Sequence, residues 1–248
     1  MTRAVALVLA GGVGSRMGRP KQFIELLGRP ALLHTLSAFQ RSPEVERIYA
    51  VGNEERISAL ARDHGIDKYA GCAEPGESRA LSTKSGLSFC DEDPQTIVLI
   101  HDGSRCLVTP KLIGRIVGAV ESGADGAIPA LPVSDTIKVA RGDSVAKTLD
   151  RSELRAVQTP QAFRLGLLRR IFEAPEEELR LATDDACLVE RVGGEVRLVM
   201  GERSNIKLTS PEDVILAEAI LISRDGHDDY FGGVRRDFLS RTRRGAAR

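Results

Sequence analysis

Near the N-terminus, Gly11, Gly12 and Gly14 are followed at short spacing by Arg16 and Lys21. Glycines in succession let backbone N–H groups approach a ligand without Cβ atoms in the way, and such a loop forms a concavity for an anion. Two fixed positive charges beside it suit a phosphate. The loop fits neither of two familiar phosphate loops. A dinucleotide fingerprint starting at Gly12 has Met17 where its third glycine belongs, and the Gly-Lys-Ser/Thr that closes a Walker A loop is absent. A βα turn whose glycines serve only packing is the plain alternative, and Arg16 and Lys21 weigh against it.

Other groups that could do chemistry lie further along. Asp102 ends an apolar run in His101-Asp102-Gly103-Ser104-Arg105, a position suited to holding a ribose hydroxyl or Mg²⁺, or to capping the next turn. Arg105 could hold the phosphate of a second substrate, and Lys207 is a third cation able to fold back on the first. After Pro75-Gly76, Arg79 and Ser82 stand one helical turn apart and could read a base edge, although an ordinary capped helix start is the simpler reading. In Thr183-Asp184-Asp185 we read Asp185 as a helix cap in preference to a metal ligand. His101 receives no catalytic role. No Ser-His-Asp or Cys-His set for nucleophilic catalysis is evident.

These groups need a frame. Val5 to Leu9 and Thr96 to Ile100 are continuous apolar runs, the pattern of strands covered on both faces. Further strands are predicted at Arg47 to Val51, Lys68 to Cys72, Ala124 to Leu131 and Glu195 to Met200. Helices are predicted at 31–41, 54–64, 80–89, 110–120, 164–172, 185–192 and 211–222. Gln161-Ala162-Phe163 is taken as the lead into a helix. The alternation predicts an α/β, Rossmann-like fold with a mostly parallel sheet flanked by helices, ligand loops lying at the carboxyl ends of the strands. Two β-rich runs around Gly142-Asp143 predict a hairpin within an arm at about 133–156; a lone hairpin is marginal in water, so it suits packing against a second subunit. Residues 1–222 are expected to form one domain, and 223–248 a loosely ordered tail.

The chain has 248 residues, is 42% hydrophobic and 28% charged, and carries no formal net charge. This excludes a global field drawing it to nucleic acid or an anionic membrane, and the absence of Trp argues against a base-stacking surface. The four cysteines lack paired or metal-ligand spacing, and no apolar run approaches the roughly 18 residues of a membrane span, so a cytoplasmic protein is expected.

Eight motifs in order, A-G-G-x-G-S-R-M-G-x-P-K-Q-F, R-A-L-S, H-D-G-S-R, P-V-S-D-T-I-K, T-L-D-R-S-E-L, Q-T-P-Q-A-F, T-D-D-A and S-N-I-K-L-T-S-P-E-D, span residue 5 to about residue 222. Together they resemble the 2-C-methyl-D-erythritol 4-phosphate cytidylyltransferase family, with a nucleotidyltransferase fold. The resemblance implies CMP transfer from CTP, with Mg²⁺ as cofactor and a homodimer joined through the arm. It implies catalytic roles for Arg16, Lys21, Arg151 and Lys207, and CTP contacts from Ala10, Gly11, Gly12, Gly14, Gly76, Glu77, Ser82 and Asp102. Arg105, Thr136, Arg151 and Thr209 would hold the polyol phosphate. The metal would be held by Asp102 or by the CTP phosphates alone. Cys106 and Arg155 depart from the family's usual proline and aromatic. CDP-ribitol-forming enzymes share several of the motifs, which leaves ribitol 5-phosphate as an alternative acceptor; a non-catalytic nucleotide-binding protein is the alternative of another class.

Overall fold

The computed structural model describes residues 4–12 and 20–225. Strand β1 (Ala4–Leu9) shows why its run is apolar throughout. Ala4, Ala6 and Val8 enter the core on one side of the sheet, and Val5 and Leu7 enter the core on the other. A central parallel strand is covered on both faces, so no polar alternation arises.

The elements follow in order: β2 (Glu25–Leu26), β3 (Arg29–Pro30), α1 (Ala31–Gln40), β4 (Val45–Val51), α2 (Glu54–Asp63), β5 (Tyr69–Ala73), α3 (Arg79–Leu87), β6 (Ile97–Asp102), α4 (Pro110–Glu121) and β7 (Gly126–Pro132). Beyond them come β8 (Lys138–Arg141), β9 (Ser144–Thr148), β10 (Arg155–Val157), β11 (Gln161–Arg164), α5 (Leu165–Ile171), α6 (Glu176–Arg180), α7 (Ala186–Arg191), β12 (Val196–Met200) and α8 (Pro211–Asp225). The main sheet runs β10-β7-β11-β6-β1-β4-β5, with β12 also on β7. Strands β5, β4, β1 and β6 are parallel, as is the β7–β12 pair. The predicted α/β architecture is therefore present.

Two predictions need correction. Gln161-Ala162-Phe163 does not lead directly into a helix: it forms β11, inserted antiparallel between β6 and β7. Arg155–Val157 is likewise a strand of the main sheet, paired antiparallel with β7. The arm therefore rejoins the sheet at Arg155, and its hairpin is β8–β9, turned at Gly142 with φ +58°.

One helical layer, α1, α2 and α4, covers Ala4, Ala6 and Val8. The other, α3, α5, α6 and α7, covers Val5 and Leu7. Helix α3 lies close to the sheet because Gly86 has no side chain: a Cβ there would come 2.7 Å from Val51 Cγ2. A third cluster closes α8 onto the hairpin β2–β3 through Leu26, Leu107, Leu208, Ala217 and Leu221. Cys106 belongs to this cluster and acts as a small apolar core residue, its thiol pushed up to about 12 by burial.

Candidate active site

The carboxyl ends of four parallel strands finish level. Leu9 stands opposite Val51 and Asp102, and Val51 opposite Ala73. The loops leaving β1 and β5 rise there as facing walls. They touch: a Cβ on Gly11 would collide with Pro75, and one on Gly76 would lie 2.6 Å from the Leu81 carbonyl carbon. Both positions therefore require glycine. Between the walls is a cavity of about 510 Å³ lined by Gly11, Gly12, Lys21, Gly76, Glu77, Ser82, Asp102 and Lys207, with Gln22, Ser78, Arg79, Ser104 and Leu9 completing it. This is where open α/β sheets bind ligands.

Each wall is pinned from behind. Ala10 is buried, its N–H donating to Val51 O, while Gln22 Nε2 donates to Ala10 O at 2.5 Å and to Gly12 O at 3.1 Å. Gln22 was not among the predicted site residues; its place in P-K-Q-F is the only sequence signal for it. Ser78 caps α3 by accepting from Leu81 N, so the predicted capped start is real. Ser82 Oγ, one turn on, binds both Gly76 N and Gly76 O and fixes that wall. Glu77 points outward to Arg180 on α6 at 2.7 Å.

The floor is charged. Asp102 pairs through Oδ1 with Arg79 Nε at 3.2 Å and through Oδ2 with Lys207 Nζ at 2.7 Å. Burial opposes charge on Asp102, but Arg79 and Lys207 hold its carboxyl well below the usual carboxylate range. Arg79 in turn reaches Asp185 Oδ2 at 2.6 Å. Asp185 is fully buried and also accepts from Thr83 Oγ1 at 3.0 Å. Asp185 stands at the N-cap position of α7, as the sequence suggested, but its side chain makes no cap bond. Asp184 supplies that bond, its Oδ1 accepting from Cys187 N, and leaves the Asp185 carboxylate to face inward. Lys207 arrives because Leu208 N bonds to Ser104 O, running the 205–208 segment alongside the end of β6.

The Q-T-P-Q run braces this floor. Thr159 Oγ1 accepts from Asp102 N and meets His101 Nδ1 at 3.0 Å, while Asn205 Nδ2 donates to Thr159 O. His101 Nε2 lies 3.1 Å from Arg105 O, which only accepts, so the proton sits on Nε2 and the Thr159 hydroxyl donates to Nδ1. Burial drives the His101 pKa down to about 4, leaving it neutral and structural. Gln161 Oε1 accepts from Asp185 N and Ala186 N.

The predicted acceptor residues are elsewhere. Arg105 lies beside the cavity with its guanidinium on Asn205 O and Val157 O. Thr209 Oγ1 donates to Asp213 at the start of α8. Thr136 and Arg151 stand exposed on the arm, Arg151 Nη1 donating to Ser134 O. Gly14 and Arg16 lie outside the described residues.

Lys21, Arg79 and Lys207 on the lining give the site cations suited to an anionic ligand, and among the described residues no cysteine lines it. Burial pushes the Cys72 thiol up to about 11 and Cys90 to about 12, which keeps them protonated. Of the two carboxylates on the lining, Glu77 is turned to Arg180 and Asp102 lies on the floor, and among the described residues no three His, Cys, Asp or Glu gather as a metal cluster. That donor set suits a magnesium ion whose remaining ligands are phosphate oxygens and water.

Comparison with known proteins agrees over the whole described chain. A protein from Rubrobacter xylanophilus named 2-C-methyl-D-erythritol 4-phosphate cytidylyltransferase is 76% identical over 225 residues, 91% of this chain and 97% of its own. One of the same name from Geobacillus kaustophilus is 47% identical, covering 88% and 97%. Among solved structures, the 2-C-methyl-D-erythritol 4-phosphate cytidylyltransferase of Francisella tularensis superposes with a TM-score of 0.77 at 28% identity, over 88% of this chain and 99% of that one. That of Thermus thermophilus gives 0.71 at 30%, over 88% and 98%. The family profile described as IspD matches residues 4–223, and the chain belongs to the 2-C-methyl-D-erythritol 4-phosphate cytidylyltransferase family.

Proposed function

We propose that this chain transfers CMP from CTP to 2-C-methyl-D-erythritol 4-phosphate, giving the CDP-alcohol and pyrophosphate. The observation that carries the reading is the cavity itself, with glycine walls, the Asp102–Lys207 floor and Lys21 on its lining. The acceptor's phosphate oxygen attacks the α-phosphorus of CTP. A new P–O bond forms as the bond from that phosphorus to the bridging oxygen breaks, and the electron pair leaves with pyrophosphate. A phosphate monoester is already anionic at neutral pH, so no general base is required, and catalysis reduces to alignment and charge stabilisation.

Lys21, with Arg16, neutralises the charge that develops at the α-phosphate, and Lys207 meets the leaving pyrophosphate. Gly76 and Ser82 face the cytosine, and Asp102 the ribose. Asp102, or the CTP phosphates alone, would hold a magnesium ion, which would supply positive charge to offset that of the triphosphate. Arg105, Thr136, Arg151 and Thr209 would hold the acceptor, the arm's residues coming from a second copy of the chain. The wholly exposed hairpin β8–β9, with Val145 64% exposed, supports a homodimer joined there. A cytoplasmic location goes with this reading; no described helix is long and apolar enough to cross a membrane.

The test is pyrophosphate release from CTP and Mg²⁺, run in parallel with methylerythritol 4-phosphate and ribitol 5-phosphate. Release with the first alone supports the reading, and release with ribitol 5-phosphate alone moves the chain to CDP-ribitol formation. CTP binding with no release from either acceptor makes it a nucleotide-binding protein only.

A further inference from the structure

Lys207 and Asp102 lie 2.7 Å apart. Left to themselves, a lysine and an aspartate at that distance would largely cancel, and an incoming triphosphate would have to break the pair. The structure divides the carboxylate instead: Lys207 takes Oδ2, and Oδ1 belongs to Arg79 Nε. Arg79 holds that direction because its other end is tied. Nη1 is on Asp185 Oδ2 at 2.6 Å, and Asp185 is fixed by Thr83 on its second oxygen and by Gln161 on its backbone N–H. Arg79 and Thr83 sit one turn apart on α3, so a single helix face grips Asp185 twice. Asp185 does not line the cavity and touches no group there except through Arg79. Such a fully buried carboxylate is costly to keep unless paired, and here its pairing points at the site.

We propose that Asp185 is a positioning residue for phosphate binding: through Arg79 it makes Asp102 share its charge between two cations, which keeps Lys207 available to the phosphates of the nucleotide. The inference deepens the assignment of the cavity as a CTP site and rests on it. An arginine is required at position 79 because its fork spans two carboxylates at fixed geometry, which a lysine's single ammonium does not.

The experiment replaces the pair without changing net charge, Arg79→Met with Asp185→Leu, and measures pyrophosphate and CTP affinity by calorimetry beside the melting temperature. Lys207 is then captured by Asp102, and pyrophosphate affinity should fall about tenfold with the fold intact. Adding Asp102→Asn to that background should restore much of the pyrophosphate affinity, the non-additivity expected of one coupled network. A merely structural pair would lower the melting temperature and show no such recovery. Arg79→Lys serves if the double variant does not fold: it keeps a cation for Asp185, abandons Asp102, and should weaken pyrophosphate in the same direction. Wild-type protein that binds neither CTP nor pyrophosphate overturns both this inference and the CTP-site assignment. Wild type that binds both, with folded variants of unchanged affinity, overturns the positioning role alone.

Discussion

The floor of the cavity and the arm are built in opposite ways. Asp102, His101, Thr159, Asp185 and Asn205 are all buried, and their hydrogen bonds join segments remote in sequence, such as Lys207 to Asp102 and Asn205 to Thr159. In the arm, β8 and β9 are wholly exposed, and its bonds are local: Lys138 Nζ to Thr148 Oγ1, Leu149 N to Ile137 O, Arg151 Nη1 to Ser134 O. Dipoles and charges fixed before the ligand arrives need no reorganisation when charge develops. The cavity floor is organised in this way within one chain, whereas the arm's exposed strands are held only by bonds of their own.

If that contrast holds, the largest losses come from the cavity. Lys21→Ala should cost about 10²- to 10³-fold in kcat, the usual effect of removing one group aimed at transition-state charge; steady-state turnover with saturating acceptor checks it, and near-normal turnover would break the comparison at its strongest point. Acid lability should also be located in the floor. The unfolded chain takes up a proton at His101 near pH 6.5, but the folded one does not until about pH 4. The unfolded state thus holds more protons across this window, so stability falls as pH drops from about 6.5 toward 4. His101 should account for about 2–3 kcal/mol of that fall, seen as a flatter pH dependence of the urea midpoint in His101→Gln. Gly76→Ala, whose Cβ would press on the Leu81 backbone, should cost about 1–3 kcal/mol of stability and weaken CTP binding about tenfold, measured by thermal melting and titration.

The same contrast explains what the sequence displayed. Strands β1 and β6 were legible because burial on both faces leaves an unbroken apolar run, and Asp102 because it ends such a run. Lys207 was legible as a cation near the end of the fold, but its partner was not. Strand β11 was hidden: four residues after Pro160, running straight into α5, carry too little periodicity to separate strand from helix. Asp185 was placed at its helix start, but the inward turn of its side chain was hidden for a physical reason. A carboxylate at a helix start is a cap by default, and with two adjacent aspartates only a tertiary partner decides which one turns inward; Arg79 is 106 residues away. Gln22 was missed because its work is done on backbone carbonyls, which leave no pattern in side-chain types.

On the arm, the expected change is narrower in kind. Arg151→Ala should raise the KM for the acceptor about tenfold, equivalent to about 1.4 kcal/mol of binding, and leave CTP affinity alone. A parallel loss of CTP affinity in the titration would show that the two halves are not separable, and would remove Arg151 from the acceptor's side.

The smallest effect tests whether burial or proximity makes the floor matter. Arg180 and Glu77 approach to 2.7 Å, as close as Lys207 and Asp102, and Glu77 lines the same cavity. The difference is at the carboxylate: the side chain of Glu77 is 78% exposed and that of Asp102 12%, while the cations Arg180 and Lys207 are alike at 41% and 42%. Water screens the rim pair and competes for both partners, so geometry alone yields little there. Arg180→Ala should therefore leave kcat and the KM for CTP within about twofold of wild type and barely move the melting temperature. A tenfold rise in the KM for CTP would mean that the rim pair orients Glu77 toward the base, and that the organised half of the site extends beyond its buried floor to α6.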